Sequence, residues 1–337
     1  MTTMSASITD ESIYMERALQ IARNGMGNTS PNPMVGAVIT DPTGRIIGEG
    51  YHRRCGEGHA EVNAVASVAP ADHELLKVST MYVTLEPCSH YGKTPPCAQL
   101  IIDRHIPAIV VGSLDPFEKV SGRGVAMLRE AGVDVTVLEG PLSDRCRELN
   151  RRFFTAHTMR RPFITLKWAQ SADGHIDAAR ASGEGAYRFS TPLSTLLVHR
   201  LRSLHDAILV GSGTFIADKP RLDVRGWEGR SPQRIVLDRR GRVTPTDTGT
   251  TVIHDDLPLA AMLARLYGDG ITSVLVEGGR EMLQSFIDQG LWDDARVEVS
   301  PARLGDRGSV KAPRIDAMPC GHITLPPHTV YLYSNNI

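Results

Sequence analysis

One histidine and two cysteines constrain this chain more than any other feature. His59 stands in His59-Ala60-Glu61, Cys88 follows Glu86-Pro87, and Cys97 follows Pro95-Pro96. One imidazole and two thiols suit a zinc ion. Three protein ligands leave the fourth position to water, the pattern of catalytic rather than structural sites. Three segments distant in sequence must therefore meet at one edge of a folded layer. Zinc lowers the pKa of its water toward neutrality, but a proton carrier is still needed, and Glu61 is the candidate. Residues two apart do not share a helix face, so His59 is expected at or just before a helix start. Cys97, after two prolines, is expected in the first turn of another helix, where the dipole favours thiolate.

The flanking pattern is layered. A helix is expected over Tyr14–Arg23, with Met15, Ala18, Leu19 and Ala22 on one face. Strands are expected at Val35–Ile39, Arg45–Gly48, Thr80–Leu85, Ala108–Gly112 and Val133–Leu138, and helices after Gly58, from Cys97 to Arg104 and over Val125–Ala131. Strands alternating with helices indicate an α/β domain over residues 1–150. Leu149–Pro162 is charged and aperiodic and reads as the join to a second domain, residues 151–337. There, strands at Phe163–Trp168, Asp206–Val210, Arg234–Leu237, Thr251–His254 and Ser273–Val276 alternate with helices at Leu193–Leu204 and Arg280–Gln289.

Length agrees, since 337 residues suit two cores. Lys+Arg 37 against Asp+Glu 38 gives a net charge of -1, and aromatic residues are only 5%. Neither favours nucleic acid as a partner. No apolar run reaches membrane-spanning length. The start lacks a charged leader with an apolar stretch, and five cysteines read as reduced thiols, so a cytoplasmic protein is expected.

The signature His-x-Glu with Pro-Cys-x-x-Cys belongs to zinc nucleobase deaminases, but here eight residues separate the cysteines. The intervening residues decide the matter. Pro31-Asn32-Pro33-Met34-Val35-Gly36-Ala37-Val38, Gly48-Glu49-Gly50-Tyr51-His52, His59-Ala60-Glu61-Val62 and Thr84–Cys97 closely resemble the bifunctional pyrimidine deaminase/reductase family of riboflavin biosynthesis, whose cysteine spacing is the longer one. The resemblance covers nearly the whole chain. It implies a cytidine-deaminase-like three-layer domain followed by a dihydrofolate-reductase-like α/β domain. It also implies Zn2+ on His59, Cys88 and Cys97, and Glu61 as proton carrier. Asn32, His52, Lys93 and Asp115 would line the pocket for a phosphoribosylamino-pyrimidinone. One departure stands out: the family usually continues Asp-Pro with Asn, whereas Phe117 follows Asp115-Pro116.

In the second half, Gly211-Ser212-Gly213-Thr214 starts like a dinucleotide fingerprint without its third glycine. Glu277-Gly278-Gly279-Arg280 lies between strand and helix, where backbone amides can hold phosphate. Leu166-Lys167-Trp168-Ala169, Leu201-Arg202, Ala217-Asp218, Pro220-Arg221-Leu222, Val224-Arg225 and Val276-Glu277-Gly278-Gly279 resemble the reductase half of the same family. The resemblance implies NADPH contacts at Ala169, Thr214, Asp218, Gly279 and Arg280. It implies sugar-phosphate contacts at Lys167, Arg202, Leu222, Arg225 and Glu277, and association between copies through this half. Lys219 and the run Tyr187–Ser190 depart from the family pattern. They keep open a deaminase whose second domain is altered or non-catalytic. A nucleic-acid base deaminase and a purely structural zinc module are further alternatives; the charge balance opposes the first, and the second leaves Glu61 without a role.

Overall fold

Strand alternation builds the first of two compact units, residues 1–159 and 160–337. The computed structural model describes residues 10–91, 95–117, 121–181, 184–244, 249–254 and 256–335. In chain order the first unit holds α1 (Asp10–Ala22), β1 (Gly36–Thr40), β2 (Ile46–Tyr51), α2 (Ala60–Ser67), β3 (Thr80–Val83), α3 (Cys97–Asp103), β4 (Ala108–Val111), α4 (Arg123–Glu130), β5 (Asp134–Val137), α5 (Pro141–Leu149) and α6 (Arg151–Met159). The sheet runs β2-β1-β3-β4-β5, antiparallel at β2-β1 and β1-β3 and parallel beyond.

Successive strand residues point to opposite faces. Ala37, Ile39, Met81, Val83, Ile109 and Val111 pack under Ala60 and Ala64 of α2, Ala98 and Ile101 of α3 and Leu128 of α4. Val38, Tyr82 and Val110 face Met15, Ala18 and Leu19 of α1 and Cys146 of α5. The three-layer expectation holds. Two glycines set the layer spacing: a Cβ at Gly36 would come within 2.1 Å of Ala18 O, and one at Gly50 within 2.2 Å of Ala64 N. No larger residue lets α1 and α2 sit this close to the sheet.

The stretch read as an aperiodic join is instead largely helical. Asn150 is buried and exchanges two 2.8 Å hydrogen bonds with the backbone of Met34, and α6 follows it directly. Tertiary contact supplied what periodicity lacked.

The second unit holds β6 (Phe163–Gln170), β7 (His175–Ala178), α7 (Pro192–Ser203), β8 (Ala207–Gly211), α8 (Ser212–Asp218), β9 (Gln233–Leu237), β10 (Thr250–Ile253), α9 (Leu259–Gly268), β11 (Ser273–Val276), α10 (Arg280–Asp288), β12 (Asp294–Val299), β13 (Gly308–Lys311), β14 (Gly321–Leu325) and β15 (His328–Ser334). Its main sheet runs β10-β9-β8-β11-β6-β12-β15-β14, and β13 pairs with β7. The central strands are parallel, and β15 is antiparallel to both β12 and β14. Ala207, Leu209, Val274 and Val276 face one core, and Ile208, Val210 and Leu275 the other. Such two-sided burial gives the apolar runs expected of parallel strands. Among the described residues, no helix is long and apolar enough to cross a membrane.

Candidate active sites

In the first unit, the expected ligands meet at the sheet edge. His59 is the residue before α2, with extended backbone (φ -70, ψ 170), and Glu61 lies in the helix's first turn. Cys97 opens α3 behind Pro96, and Cys88 sits in the loop after β3, where its sulfur accepts from the Cys97 N–H at 3.3 Å. His59 Nδ1 stands 3.6 Å from Cys88 Sγ and 3.3 Å from Cys97 Sγ. All three ligand atoms lie within 4.8 Å of one another. Tetrahedral ligands at ~2.1 Å for nitrogen and ~2.3 Å for sulfur stand about 3.6 Å apart, so the trio fits zinc.

The electrostatics agree with the geometry. A hydrogen bond from the Cys97 thiol, with further help from His59, lowers Cys88 to about 4, while its thiolate and burial push Cys97 up. A cation relieves that crowding. Glu61 is only 3% exposed; burial, then the charge on Cys88, raises it to about 7.

His59, Cys88 and Glu61 line a cavity of about 390 Å³ with Asn32, His52 and Asp115. Burial lowers His52, which keeps it neutral. Its Nδ1 lies 3.1 Å from Gly58 O and must donate there, so Nε2 accepts from Asn32 Nδ2 at 3.3 Å. Burial raises Asp115 to about 6, and Asp115 Oδ1 accepts from Phe117 N at 2.7 Å. Lys93 lies outside the described residues. Cys97 is buried and is not part of the cavity lining.

Several lining residues were missed from the sequence: Glu86, His90, Phe117, Phe153 and His157. Glu86 is buried and accepts from the N–H groups of Asp115, Gly122, Gly124 and Val125. It therefore caps α4 and pins the Asp115 loop at once. Its place one residue before Pro87-Cys88 was the available signal. Phe153 and His157 lie on α6, within the supposed join, and carried no signal.

In the second unit a cavity of about 370 Å³ is lined by Lys167, Ala169, Thr214, Asp218, Glu277, Gly279 and Arg280, among others. All five residues expected to contact a dinucleotide are thus brought together. Gly279 is the residue before α10, so that helix's free amides open beside the cavity. Arg202 grips Glu277 bidentately at 2.9 and 2.8 Å. Burial would raise Glu277, but the charge on Lys167 and the Arg202 hydrogen bond hold it at about 2. Burial lowers Lys167, and Glu277 opposes that shift.

Arg202, Leu222 and Arg225 are not in the cavity lining. Arg202 reaches it only through Glu277. Leu222 is buried with φ 55, and Arg225 is bonded to Asp223. The fingerprint-like loop is no loop: α8 starts at Ser212, directly behind Gly211. Arg180 was missed. It lines the cavity, bonds Asp177 and donates to Asp218 at 2.7 Å.

The family model described as the cytidine and deoxycytidylate deaminase zinc-binding region matches residues 8–113, and the RibD C-terminal domain model matches residues 162–325. The riboflavin biosynthesis protein RibD of Aquifex aeolicus is 38% identical over 325 residues, covering 88% of each chain. The chain belongs to the RibD family. RibD of Escherichia coli is 35% identical over 90% of this chain and 92% of its own. Among solved structures, Acinetobacter baumannii RibD superposes with a TM-score of 0.84 at 30% identity, covering 96% of this chain and 98% of that one. The Thermotoga maritima diaminohydroxyphosphoribosylaminopyrimidine deaminase/5-amino-6-(5-phosphoribosylamino)uracil reductase gives 0.83 at 33%, with the same coverage. RibD matches span both units, and the two-domain deaminase-plus-reductase fold is that of the family.

Proposed function

We propose that this chain catalyses two consecutive steps of riboflavin biosynthesis. The first unit deaminates 2,5-diamino-6-(5-phosphoribosylamino)pyrimidin-4-one by hydrolysis, and the second reduces the product's ribosyl group to ribityl with NADPH. The observation that carries this reading is the His59–Cys88–Cys97 trio at zinc-ligand spacing with Glu61 buried beside it.

When bound by His59, Cys88 and Cys97, zinc supplies an acidified water as nucleophile. Glu61 is the proton carrier: it takes a proton from the nucleophile and delivers it to the departing amine. Asn32 and His52 orient the ring through their donor and acceptor atoms, and Asp115 holds an amino or hydroxyl group.

In the second unit the nicotinamide supplies the hydride. Ala169, Thr214, Asp218, Gly279 and Arg280 hold the dinucleotide. Lys167 and Glu277 face the sugar, with Arg202 fixing Glu277. Leu222 and Arg225 are assigned to the phosphate arm on the resemblance alone. Cys55, Cys146 and Cys320, outside the zinc trio, are unpaired by disulfides, which fits a reducing, cytoplasmic setting. The partner is a small phosphoribosyl pyrimidine rather than nucleic acid. Copies associate through the second unit, where β14 is an edge strand carrying exposed His322, Ile323 and Thr324.

Incubating the pure protein with the diaminopyrimidinone, with and without NADPH, and identifying products by mass spectrometry tests the scheme. Deaminated pyrimidine alone is expected without NADPH, and the ribityl product with it. Ammonia release without any NADPH oxidation would remove the second half of the scheme, and absence of both products would remove the whole.

A further inference from the structure

Residues four apart share a helix face, and Phe153 and His157 on α6 are such a pair. Their rings meet at 4.4 Å between centroids, tilted by 64°. Phe117, from the loop after β4, meets His157 at 5.3 Å and 63°. All three line the cavity that holds His59, Glu61, Asn32, His52 and Asp115. We infer that Phe117, Phe153 and His157, packed edge to face, form an aromatic wall in which Phe117 offers its face to the pyrimidine ring and His157 and Phe153 brace it, an inference that rests on the deaminase reading of this cavity.

The chemistry of the lining divides accordingly. Asn32, His52 and Asp115 offer donors and acceptors to a ring edge, whereas Phe117 and Phe153 offer only π faces. Burial lowers His157 below its ordinary value, so its imidazole is neutral at pH 7 and joins the wall without charge. Such a surface suits the face of a flat, neutral heterocycle and is unsuited to phosphate. Phe117 also stands where the family resemblance leads one to expect Asn, so this chain has a ring in place of a polar contact at the cavity. Because Phe117 is 38% exposed, it can be replaced with little cost to folding.

The test separates a ring from mere apolar cover. Phe117→Leu keeps the greasy volume and loses the π face; Phe117→Tyr keeps the face. Calorimetric binding of the diaminopyrimidinone to zinc-loaded protein carrying Glu61→Gln reads affinity without turnover. Each substitution at 117 is also placed in the Glu61 protein for KM and kcat. Phe117→Leu should weaken binding roughly tenfold, the order expected for one base–aromatic stack. The loss should fall in KM, with kcat, zinc content and thermal midpoint held within about twofold or 2 °C of the parent. Phe117→Tyr should match the parent, and His157→Ala should weaken binding in the same direction. If the parent deaminates while Leu and Tyr at 117 bind alike at parental strength, the wall is wrong and the deaminase reading stands. If the parent neither binds nor deaminates the pyrimidine, both fall together.

Discussion

The first unit gathers two sulfurs and an imidazole within 4.8 Å at its cavity's edge, whereas in the second, Arg180 in the cavity wall and Arg202 behind it hold carboxylates of the lining. The first arrangement is short of positive charge at its centre, and an arriving cation relieves it. In the second, Arg202 holds Glu277 and Arg180 holds Asp218, so an arriving phosphate competes with acids for its cations. The contrast teaches that a metal site is defined by donors converging on one point. A phosphate and sugar pocket is defined instead by cations that also have acids within reach.

Breaking the first site at its proton carrier should give the greatest effect. Glu61→Gln keeps shape and zinc ligands, and ammonia release should fall by about 10²–10⁴-fold, the usual worth of a general acid–base group. NADPH oxidation with pre-deaminated substrate should be unchanged. Coupled loss of both activities would show that the two cavities do not work separately.

The second site is tested through its buried pair. Glu277→Gln removes the nearest compensating charge from Lys167 and Arg202, a loss of about 3–5 kcal/mol. The unit's thermal midpoint should drop by roughly 10 °C. The pH dependence follows from sign. Glu277 is held at about 2, below its ordinary 4.5, so its stabilisation is full above about pH 4.5 and is lost as pH falls toward 2. Thermal melts of the parent should steepen across that window, and those of the variant should be flatter. Equal slopes would detach Glu277 from the pair.

A smaller effect is expected at Arg180, whose side chain is partly exposed. Arg180→Ala removes a cation from the cavity but also releases Asp218, and a partly exposed pair contributes little. The KM for NADPH should rise by roughly threefold in steady-state kinetics. An unchanged KM would place Arg180 outside the cofactor's reach.

Much of this was legible in the sequence, and unevenly so. Ala37, Val38 and Ile39 sit in a strand with both faces buried, and the periodic face of α1 was plain. The ligand trio was legible because zinc chemistry demands particular residue types at loop and helix-start positions. Strand β12 was not, since Asp294, Arg296 and Glu298 alternate with apolar residues as on a solvated strand. Yet Glu298 is fully buried, accepting from Ser190, Ser194 and His328. Partners more than a hundred residues away, in the case of the two serines, decided that burial. Likewise Phe153 and His157 became pocket residues only once Asn150 and α6 were placed by contacts with distant chain.

The most direct measurement is zinc stoichiometry by atomic emission alongside ammonia release, before and after chelation. The parent should carry one zinc per chain and lose ammonia release with it, recovering both on zinc addition, while Cys88→Ser and Cys97→Ser hold none. Full ammonia release from metal-free protein would contradict the account.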